Sequence, residues 1–166
     1  MKRVLAVPLL LLISACAPLA GRRDAAPREP SAAAEAWMEM MLHDAVNQHR
    51  TRIAAVPALE YDEVIAAAAR RHSRDMAEGR VPFGHSGFQE RREMIRMRSY
   101  LGELGEAAEN VGYTDFTAGT AVAAILEGFV RSPGHRRNLE GGAFTRTGIG
   151  VARSGTTYFV TQIFAR

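Results

Sequence analysis

The chain has a single cysteine, Cys16, so no intrachain disulfide can form. Whatever it folds into must be held by an apolar core and by hydrogen bonds. The material for one core is present. In 166 residues, 47% are hydrophobic and 23% charged, ordinary usage for a globular domain of this length.

The cysteine also closes a recognisable leader. Met1-Lys2-Arg3 is a positive start, and Val4 to Ile13 is an apolar run of ten residues. Ten residues are half of the roughly twenty that a helix needs to cross a bilayer. A buried core helix would need a polar face that the run lacks. Ser14-Ala15 then supplies the small residues that a signal peptidase accepts. Residues 1–15 are thus expected to be a signal peptide. Ile13-Ser14-Ala15-Cys16 resembles a bacterial lipobox, which implies cleavage before Cys16 and lipidation of its sulfur, palmitate among the acyl chains. Two or more acyl chains anchor stably where one is marginal. Ala17 rather than an acidic residue follows the cysteine, and by analogy with envelope sorting this points to the outer membrane of a cell that has two. Without Lys2 and Arg3 the chain carries 19 basic and 18 acidic residues. With no basic stripe interleaved with aromatics, a nucleic-acid partner is not expected.

Residues 16–34 are rich in Pro, Ala and Arg without apolar period and read as the lipidated cysteine and a flexible tether. The folded domain is expected over 35–166. Trp37, Met40, Met41, Ala45 and Val46 recur at helical steps and predict an amphipathic helix over 36–52, with Asn47, Gln48, His49 and Arg50 among its polar positions. A second helix is expected after Asp62, an N-cap with Glu63 in the first turn. Its apolar face would be Ile65, Ala69, His72 and Met76, and Gly79 would end it. Ser86-Gly87-Phe88-Gln89 has capping-box spacing and predicts a charged helix near 87–98. A loop or short turn follows over 102–108, a short strand over 110–113 and an alanine-rich helix over 116–130. Ser132-Pro133 reads as a cap and first helical residue for a helix over 133–138. The chain then changes period. Ile149 and Val151 alternate with glycines, Ser154-Gly155 marks a turn, and T-T-Y-F-V-T-Q-I-F over 156–164 is β-rich, so a hairpin is expected. Helices first and strands last suggest an α+β fold with a mostly antiparallel sheet.

Eight pieces in order carry a resemblance: N-Q-H-R at 47–50, L-x-Y-D at 59–62, A-x-x-H-S-x-D-M-A at 69–77 and G-H-S-G-F at 84–88, then A-E-N-V at 108–111, S-P-G-H-R-x-N-L at 132–139, T-G-I-G-V-A at 147–152 and Y-F-V-T-Q-I-F at 158–164. Together they resemble the CAP superfamily (cysteine-rich secretory proteins, antigen 5, pathogenesis-related 1; the SCP domain), in its bacterial branch. The resemblance implies an α–β–α sandwich with a three-stranded sheet between helical layers. It also implies a cleft lined by two histidines and two glutamates. Three of those positions carry over as His85, Glu109 and His135. The fourth does not, because Phe129 stands where the family has a tryptophan and Ser132 where it has the second glutamate.

His135 would be the third residue of its helix, where the helix terminus disfavours imidazolium and keeps the ring neutral. Three functional classes remain open on these residues. The first is a non-catalytic binding module whose cleft, lined by His85, Glu109, His135 and Ser132, takes a small ligand, a lipid or sterol, or a cell-wall fragment. The second is a metal-dependent, peptidase-like hydrolase with zinc on His85 and His135 and Glu109 as base. The third is a structural or interaction protein with a vestigial cleft. No catalytic residue is assigned. Ser132 and Ser86 are read as capping residues and His72 as a core histidine. His43 and His49 are read as structural or surface groups, and Arg136 and Arg137 as a solvated pair at the cleft mouth. Met94, Ile95, Met97 and Tyr100 are read as ordinary packing rather than a lipid groove.

Overall fold

The computed structural model describes residues 32–98 and 105–166. The expected signal peptide, Cys16, nearly all of the tether and Tyr100 lie outside the described residues. Within them the elements run α1 (Ala32–Arg52), β1 (Glu60–Tyr61), α2 (Glu63–Ala77), α3 (Phe88–Arg98), β2 (Ala107–Thr114), α4 (Ala118–Arg131), α5 (Pro133–Glu140), β3 (Arg146–Ser154) and β4 (Thr157–Ala165). The strands form one sheet in the order β1-β3-β4-β2. Helices α2 and α3 cover one face, and α1, α4 and α5 cover the other. The α+β sandwich expected from the sequence is therefore present.

The strand count differs by one. β1 is two residues long and pairs in parallel with β3, Glu60 opposite Arg146 and Tyr61 opposite Thr147. Two residues are too few to show a period in the sequence. The other pairings are antiparallel. β3 and β4 are joined through Gly155 at φ +56°, a left-handed value that this two-residue connection requires.

Several local expectations hold because the chemistry is local. The Asp62 carboxylate accepts from Val64 N–H and Ile65 N–H and starts α2. Ile65, Ala69, His72 and Met76 are all buried. Gly79, at φ +70°, takes the chain away after the helix. Others are corrected. In α1 the buried stripe is Met38, Glu39, Leu42, Val46 and Arg50, while Trp37 and Met40 are exposed. The stripe was hidden because two of its members are charged. In α3 the first carbonyl is supplied by Gly87, which accepts from Arg91 N–H. Ser86 therefore lies one residue before the cap, and the capping box does not form. β2 is longer than expected and reaches back to Ala107.

The hydrogen-bonding phase of the sheet positions everything that follows. Glu60 N–H donates to the Thr145 carbonyl and Asp62 N–H to the Thr147 carbonyl. The odd-numbered residues of β3 thus face β1 and its even-numbered residues pair with β4. By the same alternation the even residues of β4 pair with the even residues of β2, as Arg166 N–H donating to the Glu106 carbonyl shows. The odd residues of β2 therefore turn their backbone groups away from the sheet.

α2 lies unusually close to β3. A Cβ on Gly148 would stand 2.1 Å from Ala66 N, and one on Gly150 would stand 2.1 Å from Arg70 N. The glycines of T-G-I-G-V-A are there for this approach. Ser73 Oγ donates across the seam to the Gly150 carbonyl at 2.8 Å. On the other face, buried Arg50 donates to the carbonyls of Pro57, Leu139, Gly141 and Phe144 and ties the loops around α1.

Candidate functional site

Glu109 lies on the α2–α3 face of β2 and is almost wholly buried. A buried carboxylate must be paired and hydrogen-bonded to be tolerated. Arg91 answers it in a fork: Nε to Glu109 Oε2 at 2.9 Å and Nη2 to Glu109 Oε1 at 2.8 Å. His85 adds Nδ1 to Oε1 at 3.0 Å. Arg91 Nη1 also donates to the Ser86 carbonyl at 2.7 Å and so fastens the loop that carries His85.

A second tie holds the same loop. His72 Nε2 donates to the Gly84 carbonyl at 2.8 Å, which fixes that proton on Nε2. Gly84 itself takes φ +139°, and His85 follows it with its side chain half exposed. Burial holds the His72 imidazole below its ordinary pKa, offset in part by its bond to Gly84.

His135 comes from the opposite helical layer. Asn110 Nδ2 donates to the His135 carbonyl at 3.0 Å, and Asn138 Nδ2 donates to Asn110 Oδ1 at 3.0 Å. These bonds dock α5 on β2 and bring the His135 ring to 6.2 Å from that of His85, centroid to centroid. The Phe129 ring meets His135 edge-on at 5.2 Å. Phe129, which the resemblance aligns with a tryptophan, thus backs the histidine. His135 has a lowered pKa, as expected, but the causes are burial first and the neighbouring His85 second, rather than the helix terminus.

The structure brings His85, Glu109 and His135 together around the edge of β2. Ser132 caps α5 through its carbonyl, which accepts from Arg136 N–H at 2.8 Å. Its hydroxyl makes no cap hydrogen bond, contrary to the sequence reading, and the residue lines a groove of 250 Å³ with His135. Arg91 is the member that the sequence reading passed over. The signal was there: Arg91 stands three residues after Phe88 and four before Ile95, on the apolar stripe of α3. A cation on such a stripe calls for a buried anion. Elsewhere, His43 Nε2 lies 3.1 Å from the Leu59 carbonyl and His49 Nε2 2.8 Å from Glu140 Oε1, structural roles for both. Arg136 and Arg137 are exposed. Met94 is half-buried, Ile95 is buried and Met97 is exposed.

Zinc does not fit this donor set. A tetrahedral site with one open position needs three protein ligands. His85 and His135 offer two, and the Glu109 carboxylate is engaged by Arg91 and His85. Among the described residues no group of three or more His, Cys, Asp or Glu side chains is arranged to hold a metal ion. The same engagement leaves Glu109 poorly placed to accept a proton from a water.

Comparison with known proteins agrees with this architecture. Residues 43–164 match the cysteine-rich secretory protein family, CAP. An uncharacterized membrane protein, YlbC, of Bacillus subtilis is 32% identical over 108 residues, which is 65% of this chain and 29% of that protein. The chain therefore spans under a third of that relative's length. An extracellular SCP-domain protein from Bacillus anthracis superposes with a TM-score of 0.66 at 28% identity, over 80% of this chain and 41% of that one. An outer surface protein from Borrelia burgdorferi superposes with a TM-score of 0.63 at 13% identity, over 78% of this chain and 92% of that one. The last is a likeness of fold.

Proposed function

The chain belongs to the cysteine-rich secretory protein (CAP) family, and from that premise we propose that it is a lipid-anchored binding module of the bacterial cell envelope. Its cleft between His85 and His135 holds a small ligand, a lipid or a cell-wall fragment without turning it over. One observation carries the non-catalytic part. Among the described residues the one carboxylate at the cleft is buried under a forked arginine, leaving the imidazoles of His85 and His135 and the Ser132 hydroxyl beside it. That set can orient a ligand through hydrogen bonds. It contains neither a three-ligand metal centre nor a nucleophile hydrogen-bonded to a base.

The envelope location is supported by the leader, by the single cysteine at the lipobox position, and by relatives described as extracellular, outer-surface and membrane proteins. The lipid on Cys16 is the membrane contact, with the outer membrane as its place in a cell with two membranes.

One experiment with two arms tests this. The full chain made with its own leader should partition into the detergent phase, and Cys16→Ser should move it to the aqueous phase. The purified protein should then show a melting shift with a muramyl glycopeptide, a fatty acid or a sterol, reduced in His135→Ala, with the added compound recovered intact. Recovery of a cleaved product would replace this reading with the hydrolase. No shift with any of the three probes would leave an interaction protein with an idle cleft.

A further inference from the structure

The two edges of the sheet are finished differently. Along β3, beyond the two residues covered by β1, side chains take up three of the outward backbone groups. Glu39 Oε1 accepts from Val151 N–H at 3.0 Å, and Glu35 Oε1 accepts from Arg153 N–H at 3.1 Å. Tyr61 Oη donates to the Ile149 carbonyl at 3.3 Å. Burial pushes the Tyr61 hydroxyl up to about 12, so it stays a donor. Leu59, just before β1, is met by an amide that imitates a strand: Asn47 Oδ1 accepts from Leu59 N–H and Asn47 Nδ2 donates to the Leu59 carbonyl.

Among the described residues β2 has no such cover past its first half. The Glu109 carbonyl accepts from Asn138 Nδ2 at 3.3 Å. Val111 and Tyr113, next in the same phase, also point their N–H and C=O away from β4. Among the described residues no hydrogen bond reaches those groups. Both residues line the 250 Å³ groove, Val111 as a buried residue at its floor and Tyr113 as an exposed one. Val111, Tyr113 and Phe83 line it from one side of the sheet, and Ile125 and Phe129 of α4 line it from the other. Gly112 lies between, where a Cβ would stand 3.1 Å from the Phe129 ring and 3.2 Å from Ile125, so the glycine lets α4 approach β2 closely. Among the described residues no charged side chain lines it; Ser132 and His135 supply its polar end along with the ring of Tyr113.

We propose that β2 takes a further strand here: the groove binds an extended peptide segment through backbone pairing at Val111 and Tyr113, with neutral apolar side chains against Ile125 and Phe129. A donor and an acceptor repeated every two residues, about 6.7 Å apart, form a pattern that another extended backbone matches group for group. A fatty acid or sterol has no donors at that repeat. This deepens the binding reading, since His135 belongs to both the cleft and the groove, and the test lets the two fail separately.

The probe is the capped hexapeptide acetyl-Ser-Val-Ser-Val-Ser-Val-amide, added to the full chain in detergent and followed by amide exchange. The exchange of Val111 and Tyr113 N–H should slow at least tenfold at saturation. Gly112 N–H, already turned to β4, should not change. An added strand offers only every other amide to its neighbour. Peptides N-methylated on all serines or on all valines should therefore differ, one binding and the other not. Gly128→Leu puts a side chain into open space on the α4 wall of the groove. It should weaken peptide binding at least tenfold without lowering the melting temperature. No slowing at millimolar peptide, or equal binding of the two methylated peptides, overturns the proposal. Slowing that depends on protein concentration alone also overturns it and gives the edge to a second copy of the chain. A glycopeptide or lipid that shifts melting while Val111 and Tyr113 exchange unchanged overturns it too, and leaves the binding reading standing.

Discussion

Glu109 and Arg91 hold each other in a nearly dry position, where either one alone is costly. Removing one partner of a buried pair typically destabilises by about 3–5 kcal/mol, because the other charge is left uncompensated. Arg91→Met should lose about that much in urea titration. It should also loosen the His85 loop, since the Ser86 carbonyl loses its donor. The double variant Arg91→Met, Glu109→Leu should recover most of the loss; a double variant no better than the single would show that the pair does more than neutralise itself. His85, Glu109 and His135 were legible because the short motifs that carry them resemble those of the CAP family; a lone histidine beside a cap would have read as structural. Arg91 was not, because a helix with so many charges reads as solvated until one of them is found on the apolar stripe. The Ser132 hydroxyl was misassigned for a related reason. A cap residue is recognised by type, but whether its oxygen turns to the backbone depends on the docking of α5.

Between α2 and β3 the packing leaves no room for a methyl group. Gly150→Ala would set a Cβ against the backbone of Arg70, which cannot give way as a flexible side chain would. Overpacking costs typically 1–3 kcal/mol, and Gly150→Ala should lie at about the upper end of that range in denaturant melts. Gly119→Ala, with open space at the same point, should be neutral or mildly stabilising in the same measurement. The alternating glycines were readable as a strand, but the reason for them, a helix backbone lying directly above, is a tertiary fact with no local signature. The α1 stripe failed to show for the opposite reason. Glu39 and Arg50 occupy core positions because each has backbone groups to satisfy, and a search for apolar residues at helical spacing passes over both. β1 is set by its partner β3 rather than by any pattern of its own.

On the scale of the whole molecule, mild acid should loosen the fold through two histidines. His72 and His135 both have pKa values held below the ordinary histidine value, chiefly by burial. Around His72 stand the Gly84 carbonyl, Arg91, Glu109 and Asp75. The unfolded chain, with histidines near pH 6.5, binds protons there that the folded chain refuses. Stability is therefore level above about pH 6.5 and falls as pH drops from there toward the lowered folded values. The melting temperature should decline between pH 7 and pH 5.5, and His72→Gln should flatten the decline. An unaltered slope in that variant would place the proton uptake elsewhere. The α+β class and most of the order of elements were legible at this scale, because the long helical periods come before the β-rich hairpin that ends the chain. The unequal finishing of the two sheet margins was not, since it rests on the parity of single residues. That inequality bears on how the protein behaves in a crowd. Exposed strand margins are templates for runaway stacking, and a fibre requires two of them per subunit. A unit whose own first helix lays glutamates along one margin leaves fewer groups there for a neighbour to pair with, so a copy that adds at the other margin is a poor start for a growing polymer.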